Sequence, residues 1–264
     1  MNNVYTHGHH ESVLRSHSWR TAENSAAYLL PHLRPGQSVL DIGAGPGTIT
    51  ADLARLVQPG RTTALEANDG ALDITRATFA KLDVSVDFLV GDVHHLDLPD
   101  DSYDVVHAHQ VLQHVADPVQ ALREMRRVCK PGGIVAARDS DYQAFAWFPE
   151  SPELGEWMTL YQRMARANGG EPDAGRRLLS WARDAGFEKV AATASNWTFT
   201  TDEDKAWWGG MWADRVLHSA MADQARAAGV PQEDLDRIST AWKTWAADPA
   251  AFISLLHGEI LATA

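Results

Sequence analysis

The sequence predicts an α/β protein, doubly wound around a mostly parallel sheet. Three observations carry that expectation. Short apolar runs of β character alternate with amphipathic helical patterns from residue 20 to about 140. The connections between them are short, which favours parallel βαβ units with helices on both sheet faces. A glycine-rich turn follows the first apolar run, at the point where such sheets bind ligands.

Taken in order, Arg20 to Leu33 carries apolar residues at helical spacing, and Pro35-Gly36 stops it. Ser38 to Ile42 reads as a first strand, Gly43 to Gly47 as a turn, and Thr48 to Val57 as a helix. A second strand (Arg61 to Glu66) and helix (Gly70 to Leu82) follow, then a third strand from Val86 to Val90. Tyr103 to Ala108 is a fourth strand, Asp117 to Cys129 its helix, and Pro131-Gly132-Gly133 a turn into a fifth strand, Ile134 to Arg138. Beyond residue 140 the pattern changes. Pro149 to Ala167 and Ala174 to Ala185 read as helices, and Phe187 to Thr200 as a strand. Asp202 to Trp245 is helical with a break at Gly229-Val230-Pro231, and Ala251 to Thr263 reads as a last strand or a helix, with the strand favoured. The organisation is an N-terminal lid (1–19), a cofactor-binding core (20–141), and helical cap insertions with the last sheet strands (142–264).

Composition narrows the function. The 264 residues carry a formal net charge of −12, which disfavours nucleic acid and membrane surfaces as partners. Arg123, Arg126, Arg127 and Lys130 cluster on and after one helix, where a solvated face is the simpler reading. The one cysteine, Cys129, allows no intrachain disulfide, and no stretch approaches the roughly 18 apolar residues of a membrane span. The polar start holds no apolar run of the kind a leader peptide has, so a cytoplasmic location is expected. Histidines 7, 9, 10 and 17 lack the defined ligand set that a metal site needs, and no metal is expected.

The strongest motif is Val39-Leu40-Asp41-Ile42-Gly43-Ala44-Gly45-Pro46-Gly47-Thr48. Its glycines let the backbone turn tightly and let a ligand approach without interference from Cβ. Thr48 stands where a dinucleotide fingerprint has its last glycine, and Pro46 removes an N–H that a phosphate would use, so an NAD-type oxidoreductase is the weaker reading. Glu66 ends the second strand, where a carboxylate accepts hydrogen bonds from ribose hydroxyls; the alternative is a plain surface glutamate. After the third strand, Gly91-Asp92-Val93 offers Asp92 to an adenine amino group and the Val93 N–H to the ring.

These residues, with Val111-Leu112-Gln113-His114-Val115, Asp117-Pro118, Leu122 to Val128 and Lys130-Pro131-Gly132-Gly133, resemble the small-molecule class I S-adenosylmethionine-dependent methyltransferases. Within these the chain is similar to the branch that includes the ubiquinone-biosynthesis methyltransferases. The resemblance covers residues 20 to 140 and is looser beyond. It implies a Rossmann-like, seven-stranded sheet with S-adenosyl-L-methionine as cofactor and a small-molecule acceptor. It places Asp41, Gly43, Ala44 and Gly45 against the methionine part, Glu66 and Ala67 at the ribose, Asp92 and Val93 at the adenine, and His109 and Gln110 beside the sulfonium. N-terminal segments of similar enzymes fold over the cofactor, which brings Tyr5 and Arg20 to it and His10 to the substrate.

Methyl transfer from a sulfonium needs the nucleophile held in line. A hydroxyl nucleophile also needs a base. Some natural-product sugar O-methyltransferases similar to this chain place a catalytic His and Asp at the positions of His114 and Asp139; packing or capping beside Asp117 is the alternative for His114, and Asp141 competes with Asp139. Trp208 and Trp212 share a helix face by i, i+4 spacing. They read either as cap core or as an aromatic wall for a flat, apolar substrate, and the wall is carried forward as the substrate-binding expectation. The expected reaction is O-methylation of an apolar or aromatic metabolite by an enzyme compatible with a homodimer. The fold recruited to another role, such as a cyclisation or ligand binding, is the alternative. A nucleic-acid methyltransferase is disfavoured by charge and by the lack of an Asn-Pro-Pro-Tyr-like motif.

Overall fold

A computed structural model describes residues 19–264. The expectations for Tyr5, His10, the N-terminal histidines and the body of the lid lie outside the described residues.

Five strands run parallel in the order β3-β2-β1-β4-β5: β1 (Val39–Ile42), β2 (Thr62–Glu66), β3 (Asp87–Val90), β4 (Tyr103–His109) and β5 (Cys129–Ser140). The last strand, β8 (Phe252–Thr263), inserts antiparallel beside β5, and β7 (Val190–Phe199) pairs antiparallel along its other side. A short strand, β6 (Ala146–Phe148), extends the β5 side of β8, so the described sheet has eight strands rather than seven. Strand order reverses between β1 and β4, and the crevice at their C-terminal ends is the topological switch point.

The parallel half follows the expected alternation. Helix α2 (Thr48–Val57) leaves the glycine turn from Gly47, whose φ of 81° suits glycine. Helix α3 (Asp69–Phe79) is capped by Asn68, which accepts from the Ala71 N–H. Helix α4 (Pro118–Val128) starts at Pro118 with Asp117 accepting from the Gln120 N–H.

Three boundaries differ from the sequence expectation. The helix expected over Arg20 to Leu33 is only α1 (Ala22–Ser25), followed by a 3-10 turn at Leu30–His32. Ala26 leaves helical geometry at φ −139°, and Pro31 lacks the N–H to continue the ladder. Ala22, Ala26, Leu29 and Leu33 are still buried against Val39, Leu53 and Val105. The Pro131-Gly132-Gly133 turn lies inside β5, whose pairing with β4 shifts register between Tyr103 and Val105. The long helical region after residue 200 is three helices, α7 (Asp202–His218), α8 (Ala220–Ala227) and α9 (Gln232–Ala247), with an extra break at the extended Ser219.

The sheet has unlike faces. Leu40, Val106, Val135 and Ile260 pack under α4 and α6 (Leu178–Asp184) as an apolar core. The opposite face carries Asp41, His107, His109, Arg138 and Glu259, all buried. The cap, formed by α5 (Pro152–Ala167), α7 and α9, holds its own aromatic core. The four cations on and after α4 have structural partners: Arg127 ties Glu124, Asp100 and two carbonyls, Lys130 pairs with Asp104, Arg126 covers Phe187, and Arg123 donates to the Asp184 carbonyl. No described helix is long and apolar enough to cross a membrane.

Candidate active site

The crevice side built by β1, β2 and β3 is shaped by backbone. Gly43 and Gly45 hold φ of 68° and 55°. The Gly43 and Ala44 N–H groups donate to the Leu65 carbonyl, and the Gly45 N–H donates to Glu66 Oε1. A Cβ on Gly43 would lie 2.5 Å from Val111 Cγ2, whereas a Cβ on Gly45 would meet nothing within 4 Å. The first glycine is therefore required by packing, and the second faces the open space over the turn. Thr75 braces the turn by donating to the Gly45 carbonyl at 2.6 Å. Burial pushes the Glu66 carboxyl above the usual range, partly offset by the Gly45 and Ala67 N–H groups. Asp92 is exposed and lies below the usual range, because it accepts from the His94 backbone N–H at 2.9 Å and from the His94 ring.

Asp41 sits deeper than a ligand-contacting residue would. Its two oxygens are engaged by Thr50 Oγ1 and by His107 Nδ1, the latter at 2.7 Å. It is 3% exposed, and it anchors α2 and β4 to β1 under the glycine turn. Sequence reasoning missed Thr50 and His107. The in-register pairing of Asp41 with His107 is the signal, and it appears only once β1 and β4 are known to be neighbours.

The β4–β5 side is different. Asp139 is fully buried near the end of β5. Its Oδ1 accepts from the Gln113 backbone N–H at 3.0 Å, and its Oδ2 has no partner. Burial pushes this carboxyl up to about 7. Asp139 and His114 do not bond directly, because Gln113 stands between them. The Gln113 side-chain oxygen accepts from the Ser140 N–H at 3.0 Å and from its hydroxyl, and the amide nitrogen donates to His114 Nε2 at 3.0 Å. The sequence marks Gln113 as part of the Val111–Val115 motif but assigns it no role. His114 is half-buried, and loss of water with the Arg20 charge pushes it down to about 3, so the imidazole is neutral. Asp141 is withdrawn from the competition with Asp139: Arg176 takes both of its oxygens at 2.6 Å.

His109 ends β4 and is buried between Trp197 and His257, with ring centroids at 5.7 and 6.3 Å. Burial holds it well below the ordinary histidine range. Gln110 adopts φ 53°, its N–H donates to the Arg138 carbonyl, and its side chain bridges Arg20 (2.6 Å) and His257 (2.8 Å). The reading of Trp208 and Trp212 as a substrate wall is corrected to cap core. The face they share turns inward: Trp212 meets Trp157, Tyr161 and Trp242, and Trp208 meets Phe199, at 6% exposure for Trp208 and 0% for Trp212. The aromatic residue nearest Asp139 in the chain is instead Tyr142, which stacks on Tyr161 at 4.0 Å. Among the described residues no group of three His, Cys, Asp or Glu side chains is set to hold a metal ion.

A strand, a glycine turn with open space over Gly45, and a carboxylate at the end of the next strand define a class of protein that binds an adenosyl cofactor at a doubly wound sheet. Comparison with known proteins sharpens that class. Residues 40–137 match the methyltransferase domain family described as Methyltransf_11. The chain is 32% identical over 97% of its length to an uncharacterized methyltransferase, C1B3.06c, of Schizosaccharomyces pombe, covering 95% of that protein. It is 29% identical over 98% of its length to the probable methyltransferase ltbC of Aspergillus luteorubrus, covering 97% of it. A match to the ubiquinone/menaquinone biosynthesis C-methyltransferase UbiE of Enterobacter sp. (31%) spans 60% of this chain and 69% of that one. In fold it is similar to YcgJ of Bacillus subtilis (TM-score 0.58, 19% identity, 91% of this chain and 98% of that one). It is also similar to the [4+2]-cyclase SpnF (TM-score 0.52, 19% identity, 96% and 86%). The chain belongs to the class I S-adenosylmethionine-dependent methyltransferases. It is an enzyme of that family, with S-adenosylmethionine as its cofactor.

Proposed function

We propose that the protein transfers the methyl group to a hydroxyl of a small apolar or aromatic acceptor. The cofactor supplies an electrophilic methyl carbon on a sulfonium. The Gly43-Ala44-Gly45 turn gives its methionine part close access to backbone, Glu66 and the Ala67 region receive the ribose, Asp92 and Val93 take the adenine, and His109 with Gln110 borders the methyl. Asp41 supports the turn from below, and Arg20 steadies Gln110.

The observation that carries the O-methylation reading is Asp139: a buried carboxylate with one unpaired oxygen, raised to about 7, near the end of β5. A base titrating near the working pH is the efficient one. The acceptor oxygen bonds to the methyl carbon as the carbon–sulfur bond breaks with its electron pair left on sulfur, and Asp139 takes the hydroxyl proton. Neutral His114, whose Nε2 accepts from the Gln113 amide, carries its proton on Nδ1 and borders the acceptor. The test is methyl transfer from labelled cofactor to hydroxylated aromatics and to their amine analogues, with parent protein and Asp139→Asn. Transfer to hydroxyls that Asp139→Asn abolishes while cofactor affinity holds supports the reading. Transfer to amines alone, indifferent to Asp139, overturns it. The likeness in fold to a cyclase keeps a non-methylating role as the second reading, which cofactor binding without transfer to any acceptor would favour.

A further inference from the structure

Arg138 lies on β5 facing away from Asp139 and is 1% exposed. Among the described residues only its Nε is bonded, to Ser195 Oγ at 3.1 Å and to Glu259 Oε1 at 3.2 Å. Glu259 is itself shared with the Ser195 and Thr193 hydroxyls. Nη1 and Nη2 have no acceptor. Beside Arg138 across the β4–β5 ladder stands His109, with neither ring nitrogen bonded. The Tyr28 hydroxyl, buried and unbonded, lies within electrostatic reach of Arg138 and Glu259. Trp197 closes one side, with the guanidinium carbon 4.9 Å from its ring centroid.

Buried donors normally find acceptors, and a guanidinium leaves its fork empty at the greatest cost. The unpaired groups here are of one kind: two arginine nitrogens, a phenol hydroxyl and an imidazole that donates from one nitrogen. Such a set matches a planar monoanion with two oxygens. Glu259 already holds the Nε edge, so the free edge is the Nη1–Nη2 side. We propose that Arg138, His109 and Tyr28 form a binding site for a carboxylate carried by the methyl acceptor. This rests on the methyl-transfer reading above. Because Arg138 and Asp139 face opposite sides of β5, the acceptor straddles the end of that strand, acid on one side and reacting hydroxyl on the other.

The experiment uses the full chain with S-adenosylhomocysteine bound, titrated calorimetrically with benzoate, formate and neutral benzamide. Benzoate is expected to bind saturably and benzamide not at all. Arg138→Gln should weaken benzoate roughly ten-fold or more and Tyr28→Phe roughly three-fold, as for lost hydrogen bonds to a charged group, with S-adenosylhomocysteine affinity unchanged. Tyr28→Phe carries the test should Arg138→Gln not fold. Formate binding without benzoate assigns the donors to a free anion and overturns the acceptor's role. No carboxylate binding, or binding equal in parent and variants, overturns the site itself. In each of those cases retained S-adenosylhomocysteine binding leaves the methyltransferase standing. Lost cofactor binding in the parent protein would instead break that reading.

Discussion

The two sides of the crevice differ in how far their polar groups are satisfied. On the β1–β2–β3 side, polar groups are satisfied before any ligand arrives: Glu66 by the Gly45 N–H, Asp92 by His94, Asp41 by Thr50 and His107. On the β4–β5 side, Asp139 Oδ2, both His109 nitrogens and two Arg138 nitrogens are buried and unpaired. A site for a cofactor common to a whole family can be a rigid, self-satisfied cradle. A site for a particular acceptor is strained in its absence, because a buried polar group without a partner raises the energy of the empty state and sharpens discrimination against the wrong occupant.

The largest expected effect tests the strained side. Asp139→Asn should lower turnover by about 10²–10⁴-fold, the usual contribution of a general base. Its Oδ still accepts from Gln113, so the fold is kept; steady-state kinetics beside calorimetric cofactor affinity read the result. The same carboxyl sets a pH dependence. Turnover should rise as pH passes through about 7 and then level. Stability should move the other way: the folded carboxyl binds its proton more tightly than the unfolded one, so ionisation opposes folding, and stability falls from about pH 4 to about pH 7. Asp139→Asn should therefore be the more stable protein at pH 8, by on the order of a few kcal/mol at most, with the gain vanishing below pH 4. Melting curves across pH showing the parent as the more stable at pH 8 would contradict the buried, unpaired state of this group.

Next in size, Glu66→Ala should weaken S-adenosylhomocysteine by about 1–3 kcal/mol, measured by calorimetry on folded protein. An unchanged affinity would remove Glu66 from the cradle. The glycine turn offers a finer comparison. Alanine at either position pays the left-handed penalty of about 1–2 kcal/mol. Gly43→Ala also meets Val111 and should lower the melting temperature the more. Gly45→Ala meets only open space and should lower cofactor affinity out of proportion to its stability. The smallest effect falls on His114→Ala: a neutral imidazole held at about 3 is a poor proton acceptor, so turnover should fall only a few-fold, roughly the worth of one hydrogen bond. A loss as large as that of Asp139→Asn would return the base role to His114.

Much of the cradle could be read from the chain because each of its parts follows a strand directly. Gly43 to Gly45, Glu66 and Asp92 are identified by counting from strand ends, which short apolar runs bounded by turn residues mark well. Parallel strands, central helices and the final strand followed for the same reason. The acceptor side could be indexed but not assembled. His114 and Asp139 could be counted from the ends of β4 and β5, yet the group joining them, Gln113, has no distinctive spacing. Arg138 and Glu259 are 121 positions apart and pair only because β8 folds back against β5. The i, i+4 relation of Trp208 and Trp212 was correct, but spacing gives a shared face without saying which way it turns. Here α9 and α5 pack against that face and take it into the cap. Helix α1 stops for local reasons that an apolar period does not show: Ala26 leaves helical geometry, and Pro31 further on cannot extend the ladder.

Gln110 shows how side chain and backbone can disagree. An L-residue at φ 53° forgoes about 1 kcal/mol that glycine would keep, and glutamine lacks the short side chain that makes asparagine tolerable there. Yet this side chain bonds both Arg20, just before the first helix, and His257, on the strand that closes the sheet, positions 90 and 147 residues away from it. Gln110 thus behaves as a loaded latch: Gln110→Gly would relax the main chain while removing one of the ties that hold Arg20 and His257 to the tip of β4, and the local unfolding of residues 19–33, followed by hydrogen exchange, would quicken even where the relaxed turn itself became sounder.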